Sequence, residues 1–199
     1  MPKRAYLLVI LAVSQFLAGC AGTPQPQLTP IGEVIPADVS FAGRWQQQDP
    51  GNEAATKIRN AEQSAAGGLD DVVAAARRDR GSDSGRGKKG PSVHVFLETG
   101  SRLKITQNAY GLFISFDRSV VEEYRYGEHR MISVGPIGAE RVSGWRDGHY
   151  EIQTLGEEGG FLTETYALEQ DGQVLVRTIM IKHKEEQTLS VRQLFDRLE

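Results

Sequence analysis

The chain is 199 residues long with 39% hydrophobic and 25% charged residues, which bounds it to one domain with a modest core and excludes both a pair of full domains and a wholly disordered polymer. Its formal net charge of -3 excludes a general electrostatic attraction to nucleic acid or to anionic headgroups. A single cysteine, Cys20, excludes an intramolecular disulfide and needs an explanation of its own.

The first element supplies that explanation. Lys3 and Arg4 precede an apolar run from Ala5 to Phe16, which closes on Leu17-Ala18-Gly19-Cys20. This is the layout of a secretory signal and is too short for a spanning helix, which needs about 20 apolar residues. Leu-Ala-Gly-Cys resembles the bacterial lipobox. The resemblance implies that residues 1–19 are removed, that the Cys20 thiol takes a diacylglycerol, and that the new amino group is acylated. Stable anchoring takes at least two chains, and a triacylated Cys20 exceeds that. By the same resemblance, Ala21 after the cysteine implies onward transport to the outer membrane of a two-membrane bacterium, on its periplasmic face.

Residues 20–40 carry Pro24, Pro26, Pro30 and Pro36 among Gln, Thr and Gly. They read as a lipidated tether in extended geometry, with Ile31, Val34 and Ile35 as the side chains able to dock. The folded domain is expected over 41–199. Alternation puts Phe41, Gly43 and Trp45 on one face of a first strand. Gly43-Arg44-Trp45 is similar to the Gly-x-Trp that opens lipocalin-type barrels, where the indole plugs one end. An insertion follows over 46–90. It has a helix-compatible stretch at 52–66, a narrow apolar stripe of Leu69, Val72, Val73 and Ala76, and a flexible Gly/Arg/Lys run at 81–90.

From Pro91 onward the pattern turns to period two. Leu103 and Ile105 alternate before Asn108, and Tyr110 to Phe116 after it, predicting a hairpin. Val120 to Tyr126 and Ile132 to Val134 predict further strands, the second stopping at Gly135-Pro136. Two more hairpins turn on Arg146-Asp147-Gly148 and Gln170-Asp171-Gly172. They join Arg141–Trp145 to His149–Leu155 and Phe161–Leu168 to Val174–Ile181. The last run, Thr188 to Phe195, could be strand or helix: Leu189, Val191 and Phe195 fit alternation, whereas Leu194, Phe195 and Leu198 fit a helix, and strand is the reading favoured. The fold class expected is therefore mainly β: an antiparallel up-and-down meander that curls into a barrel or half-barrel, with a helical and flexible insertion after the first strand. Ser143-Gly-Trp145, Thr163-Glu-Thr-Tyr166-Ala-Leu168 and Val191-Arg-Gln-Leu-Phe195-Asp196-Arg197, with their turns, resemble a broad group of bacterial exported proteins with a lipocalin-like β meander. That resemblance implies a fold and transfers no active site.

Chemistry is sparse. His94, His129, His149 and His183 lack metal-ligand spacing and read as solvent-facing strand residues. Gly81-Ser82-Asp83-Ser84-Gly85 places Asp83 where a nucleophile elbow needs serine. Glu122-Glu123, Glu157-Glu158 and Glu185-Glu186 read as solvated. Arg77, Arg78, Arg80, Arg86, Lys88 and Lys89 form the one basic concentration, suited to a solubilising linker or to an anionic surface. No catalytic, cofactor-binding or metal residue is assigned and no cofactor is expected; Cys20, by lipidation, is the one site residue. The function expected is a non-enzymatic envelope lipoprotein. Its partners would be the membrane, through the lipid on Cys20, and an apolar ligand inside the barrel or an envelope protein outside it, with no nucleic acid. The alternative is an envelope hydrolase or other enzyme with a site in the barrel mouth, its signature a pair such as His149 with Glu164 in a cleft. A structural lipoprotein would show an exposed apolar patch instead.

Overall fold

The structure, a computed structural model, describes residues 27–32, 34–36, 38–51, 53–61, 63, 92–183 and 186–199. Cys20, the stripe at Leu69 to Ala76, the Asp83 segment and the basic run of Arg77 to Lys89 lie outside the described residues.

Among the described residues, ten strands form one antiparallel sheet. They are β1 Gly43–Gln47, β2 Arg102–Gln107, β3 Gly111–Phe116, β4 Val120–Arg125, β5 Glu128–Val134, β6 Ile137–Arg146, β7 His149–Gly156, β8 Gly160–Glu169, β9 Val174–His183 and β10 Glu186–Leu198. The spatial order is β4-β3-β2-β1-β10-β9-β8-β7-β6-β5, the meander expected. β1 closes it, with Trp45 opposite Leu103 on β2 and Arg197 on β10. The turns follow backbone chemistry: Asp147 (φ 49°) and Gly148 (φ 83°) both take the left-handed region, as a tight hairpin turn with the right twist requires.

The barrel is nearly closed. β4 and β5 are consecutive but unpaired in the sheet order, and side chains lace the seam between them. The Arg125 N–H donates to Glu128 Oε2 at 3.1 Å and the Ser143 hydroxyl to the Arg125 carbonyl at 2.8 Å. Arg130 donates to the Glu123 carbonyl at 2.8 Å, and Arg141 pairs with Glu122 at 3.0 Å.

Both ends are stoppered. At one, Phe41 stacks on Trp145 with ring centroids 5.2 Å apart, and the Trp45 indole N–H donates to the Phe41 carbonyl at 3.0 Å. Arg197 lies over the Trp45 ring, 4.2 Å from its centroid, and donates to the carbonyls of Ala42 at 2.7 Å and Gly172 at 2.8 Å. A Cβ on Gly43 would stand 2.8 Å from Arg197 Nη1, so the glycine of Gly-x-Trp leaves room for this guanidinium. At the other end a 3-10 helix, Ser92–Phe96, and a helix over residues 53–61 bring Val93, Phe96, Leu97 and Ile58 onto Ile137, Leu162, Ile179, Ile181 and Val191. Full burial of such a side chain contributes about 1.5–3 kcal/mol.

Three local readings change. β1 runs on to Gln47, so the insertion starts later than residue 46. The Ser92–Phe96 stretch, read as the start of the period-two region, is helical because Val93, Phe96 and Leu97 recur at helical spacing and cap the barrel. Within the stretch read as a tether, Leu28 and Ile31 are 6% and 3% exposed and pack with Val142, Leu155 and Phe161 on the outer wall. The Trp145 N–H donates to the Gly32 carbonyl at 2.9 Å. A Cβ on Gly144 would overlap that carbonyl oxygen, so glycine is what lets the strap lie against β6.

Candidate functional site

The interior is where a barrel of this kind would hold a ligand. Alternation along β8 and β9 sends Leu162, Glu164 and Tyr166 inward from one strand and Leu175, Arg177 and Ile179 from the next. Arg177 is completely buried and Glu164 is 1% exposed. They form an ion pair, with Nη2 as well as Nε on Glu164 Oε2, the latter at 3.0 Å. Nη2 also donates to the Glu98 carbonyl at 2.7 Å, just beyond the 3-10 helix, and Nη1 to Gln193 Oε1 at 3.4 Å. The Tyr166 hydroxyl donates to Glu164 Oε2 at 3.3 Å. The guanidinium lies over the rings of Phe116 and Tyr166, at 5.1 Å and 5.6 Å.

A second arginine enters the same layer from β6. Arg141 donates from Nε to Thr154 Oγ1 at 3.3 Å and lies over the Tyr124 ring at 5.3 Å, while its other end holds Glu122 across the seam. Burial works against the charge on both guanidiniums, and the neighbouring tyrosines and carboxylates outweigh it, so both are held above the ordinary arginine value. Burial pushes the Tyr124 and Tyr166 hydroxyls well above theirs, with Glu164 adding to it. All four stay in their resting protonation state across the physiological range.

This layer is solid. Ile114, Tyr124, Tyr166, Leu175 and Arg177 have no exposed surface and Phe116 only 1%, so no space of even a water's size adjoins the first five. An apolar guest would have to displace the 3-10 helix and take the Glu98 carbonyl off Arg177.

The sequence-stated candidates fall elsewhere. His94 is in the 3-10 helix, not on a strand, and is buried; its Nδ1 has no partner among the described residues, and burial holds its pKa below the ordinary value. His129 pairs with Glu140, and His149 Nε2 lies 3.4 Å from Glu151 Oε2. His149 and Glu151 share the outward phase of β7, whereas Glu164 points inward, so the His149–Glu164 pair is not formed. Glu122 is an ion-pair partner, not a free solvated carboxylate. Glu157 and Glu158 are exposed. Among the described residues no group of three or more metal-ligating side chains is assembled. The Arg177–Glu164 pair was missed, although each residue sits in the apolar phase of its strand, and that phase is the signal by which it could be found.

The fold and its packed interior define a small, nearly closed up-and-down β-barrel. No family model and no curated protein matches the chain. Among solved structures it is similar to two secretory abundant heat soluble proteins of Ramazzottius varieornatus. One is 10% identical over 79% of this chain and 95% of that one; the other, protein 4, is 13% identical over 79% and 94%; both have TM-scores of 0.47. It is also similar to a luciferase domain from the dinoflagellate Lingulodinium polyedrum, at 14% identity over 89% of this chain and 45% of that one, with a TM-score of 0.45.

Proposed function

We infer that the chain is an envelope lipoprotein: a non-enzymatic interaction module, acylated on Cys20 and carried to the periplasmic face of the outer membrane, that meets its partners on the outside of the barrel. What carries the outside reading is the solid interior. A barrel filled around a neutralised arginine pair and stoppered at both ends presents its recognition chemistry on its wall, and an envelope protein fits that surface better than a guest in the core. The strap supports a short leash. From Gln27, at the start of the described strap, back to Cys20 is seven residues, which reach at most about 25 Å, so the domain stays close to the bilayer.

The test is fractionation of producing cells fed a labelled fatty acid. The wild type is expected in the membrane fraction with label and without residues 1–19, and Cys20→Ser is expected unlabelled with residues 1–19 still attached. A membrane-free, unlabelled wild type that still carries residues 1–19 contradicts the reading.

A further inference from the structure

The outer wall of β1, β2 and β3 carries a groove of about 860 Å³ whose lining includes Arg44, Gln46, Arg102, Lys104, Ser115 and Arg118. A second depression of about 330 Å³ shares Gln46, Arg102 and Arg118 with it and adds Ser101 and the Asp117 carboxylate. The chain as a whole is acidic, so four cations around one groove do not follow from composition.

Their placement carries an electrostatic cost. Arg44 and Lys104 are directly opposed across the β1–β2 ladder, an arrangement that puts like charges about 5 Å apart at Cβ and destabilises a sheet. Local acids relieve it only in part. Asp117 sets one negative charge beside Arg102 and Arg118 while accepting from the backbone N–H groups of Arg102 at 2.8 Å and Ser101 at 3.1 Å. Asp196 accepts from Gln48 at 2.8 Å. Arg44 donates to a main-chain oxygen of Glu199, and Arg102 to the Gln46 side-chain oxygen at 3.0 Å. Lys104 and Arg118 have no ion pair among the described residues. Arg118 is also held at φ 64°, directly after Asp117 at φ 47°. Two successive non-glycine residues in the left-handed region carry a conformational cost, and the turn they make sets Arg118 at the groove's edge.

We propose that this groove binds a phosphate-bearing ligand, a phosphomonoester or diphosphate group. Two or three guanidiniums offer paired N–H donors that match phosphate oxygens, Lys104 adds a point charge, and the Ser115 hydroxyl adds a neutral donor. The acidic total charge is no obstacle, because a local cluster acts within the screening length of about 8–10 Å.

The test uses the full-length chain carrying Cys20→Ser, so that acylation cannot stand in for binding, and the same chain with Lys104→Glu and Arg118→Glu added. Both charged side chains are exposed and Lys104→Glu replaces a like-charge pair opposite Arg44 with an opposite-charge one, so the variant is expected to melt no lower than its parent. Titration with inorganic pyrophosphate in calorimetry is expected to saturate, to weaken at least tenfold in the variant, and to weaken with added salt. Unsaturable heats, or affinity equal in both chains, overturn the proposal. Flotation with phosphatidylcholine vesicles, with and without phosphatidic acid, then separates the sources. Binding that the acid lipid enhances in the parent alone marks a lipid headgroup; pyrophosphate binding without such enhancement marks a soluble phosphate ester.

Discussion

A guanidinium taken out of water costs several kcal/mol unless its donors and charge are met. Arg177 is met by Glu164, Gln193, the Glu98 carbonyl and two ring faces. Removing one partner leaves the other charge buried alone. Arg177→Met is therefore expected to lose about 3–5 kcal/mol in urea unfolding, and the double variant Arg177→Met with Glu164→Leu to recover much of that loss. A loss in the double variant equal to the sum of the losses in Arg177→Met and Glu164→Leu alone would show that the two charges do not interact. His94 gives a pH dependence of opposite origin. Burial holds its folded pKa below the ordinary 6.5, so the unfolded chain takes up the proton first. Stability is full above pH 6.5 and falls as pH drops from there toward the folded value. The wild type is expected to lose more melting temperature than His94→Leu between pH 7 and pH 5, and parallel curves would refute this assignment.

Strap and seam are matters of elements. Gly144→Ala places a methyl on the Gly32 carbonyl oxygen, so residues 27–36 are expected to exchange their amide hydrogens at least tenfold faster while β8 and β9 remain protected. Unchanged exchange in the strap would mean that the wall does not hold it. Most of the meander is legible in the sequence, because Asp147-Gly148 and Asp171-Gly172 mark turns between period-two runs, and Leu103/Ile105 or Leu112/Ile114 declare one wet face and one dry. The 3-10 stopper at Ser92–Phe96 is not, since Val93 and Val95 mimic strand alternation over so short a run. The strap is half legible: Ile31 reads as able to dock, but that Gly144 makes its berth depends on a contact between residues more than a hundred positions apart. The candidate site is legible only through phase. Glu164 between Leu162 and Tyr166, and Arg177 between Leu175 and Ile179, announce charges on the dry face, yet their pairing follows from β8–β9 register, which no local pattern fixes.

At the scale of the whole molecule, closure and filling go together. A sheet of ten strands whose first strand joins its second and its last leaves β4 and β5 as its two edges, and ion pairs and hydroxyls cover those. An interior occupied by two arginines, their carboxylates and several aromatic rings is the observation on which the proposal of recognition at the outer wall rests. Trp45 and Trp145 both belong to the buried cluster at one end of the barrel and report on whatever enters it. Their fluorescence during titration with a long-chain fatty acid is the direct measurement: a packed barrel predicts no saturable change, whereas a saturable one-to-one change, with the spectra shifting as the ligand fills the core, contradicts it.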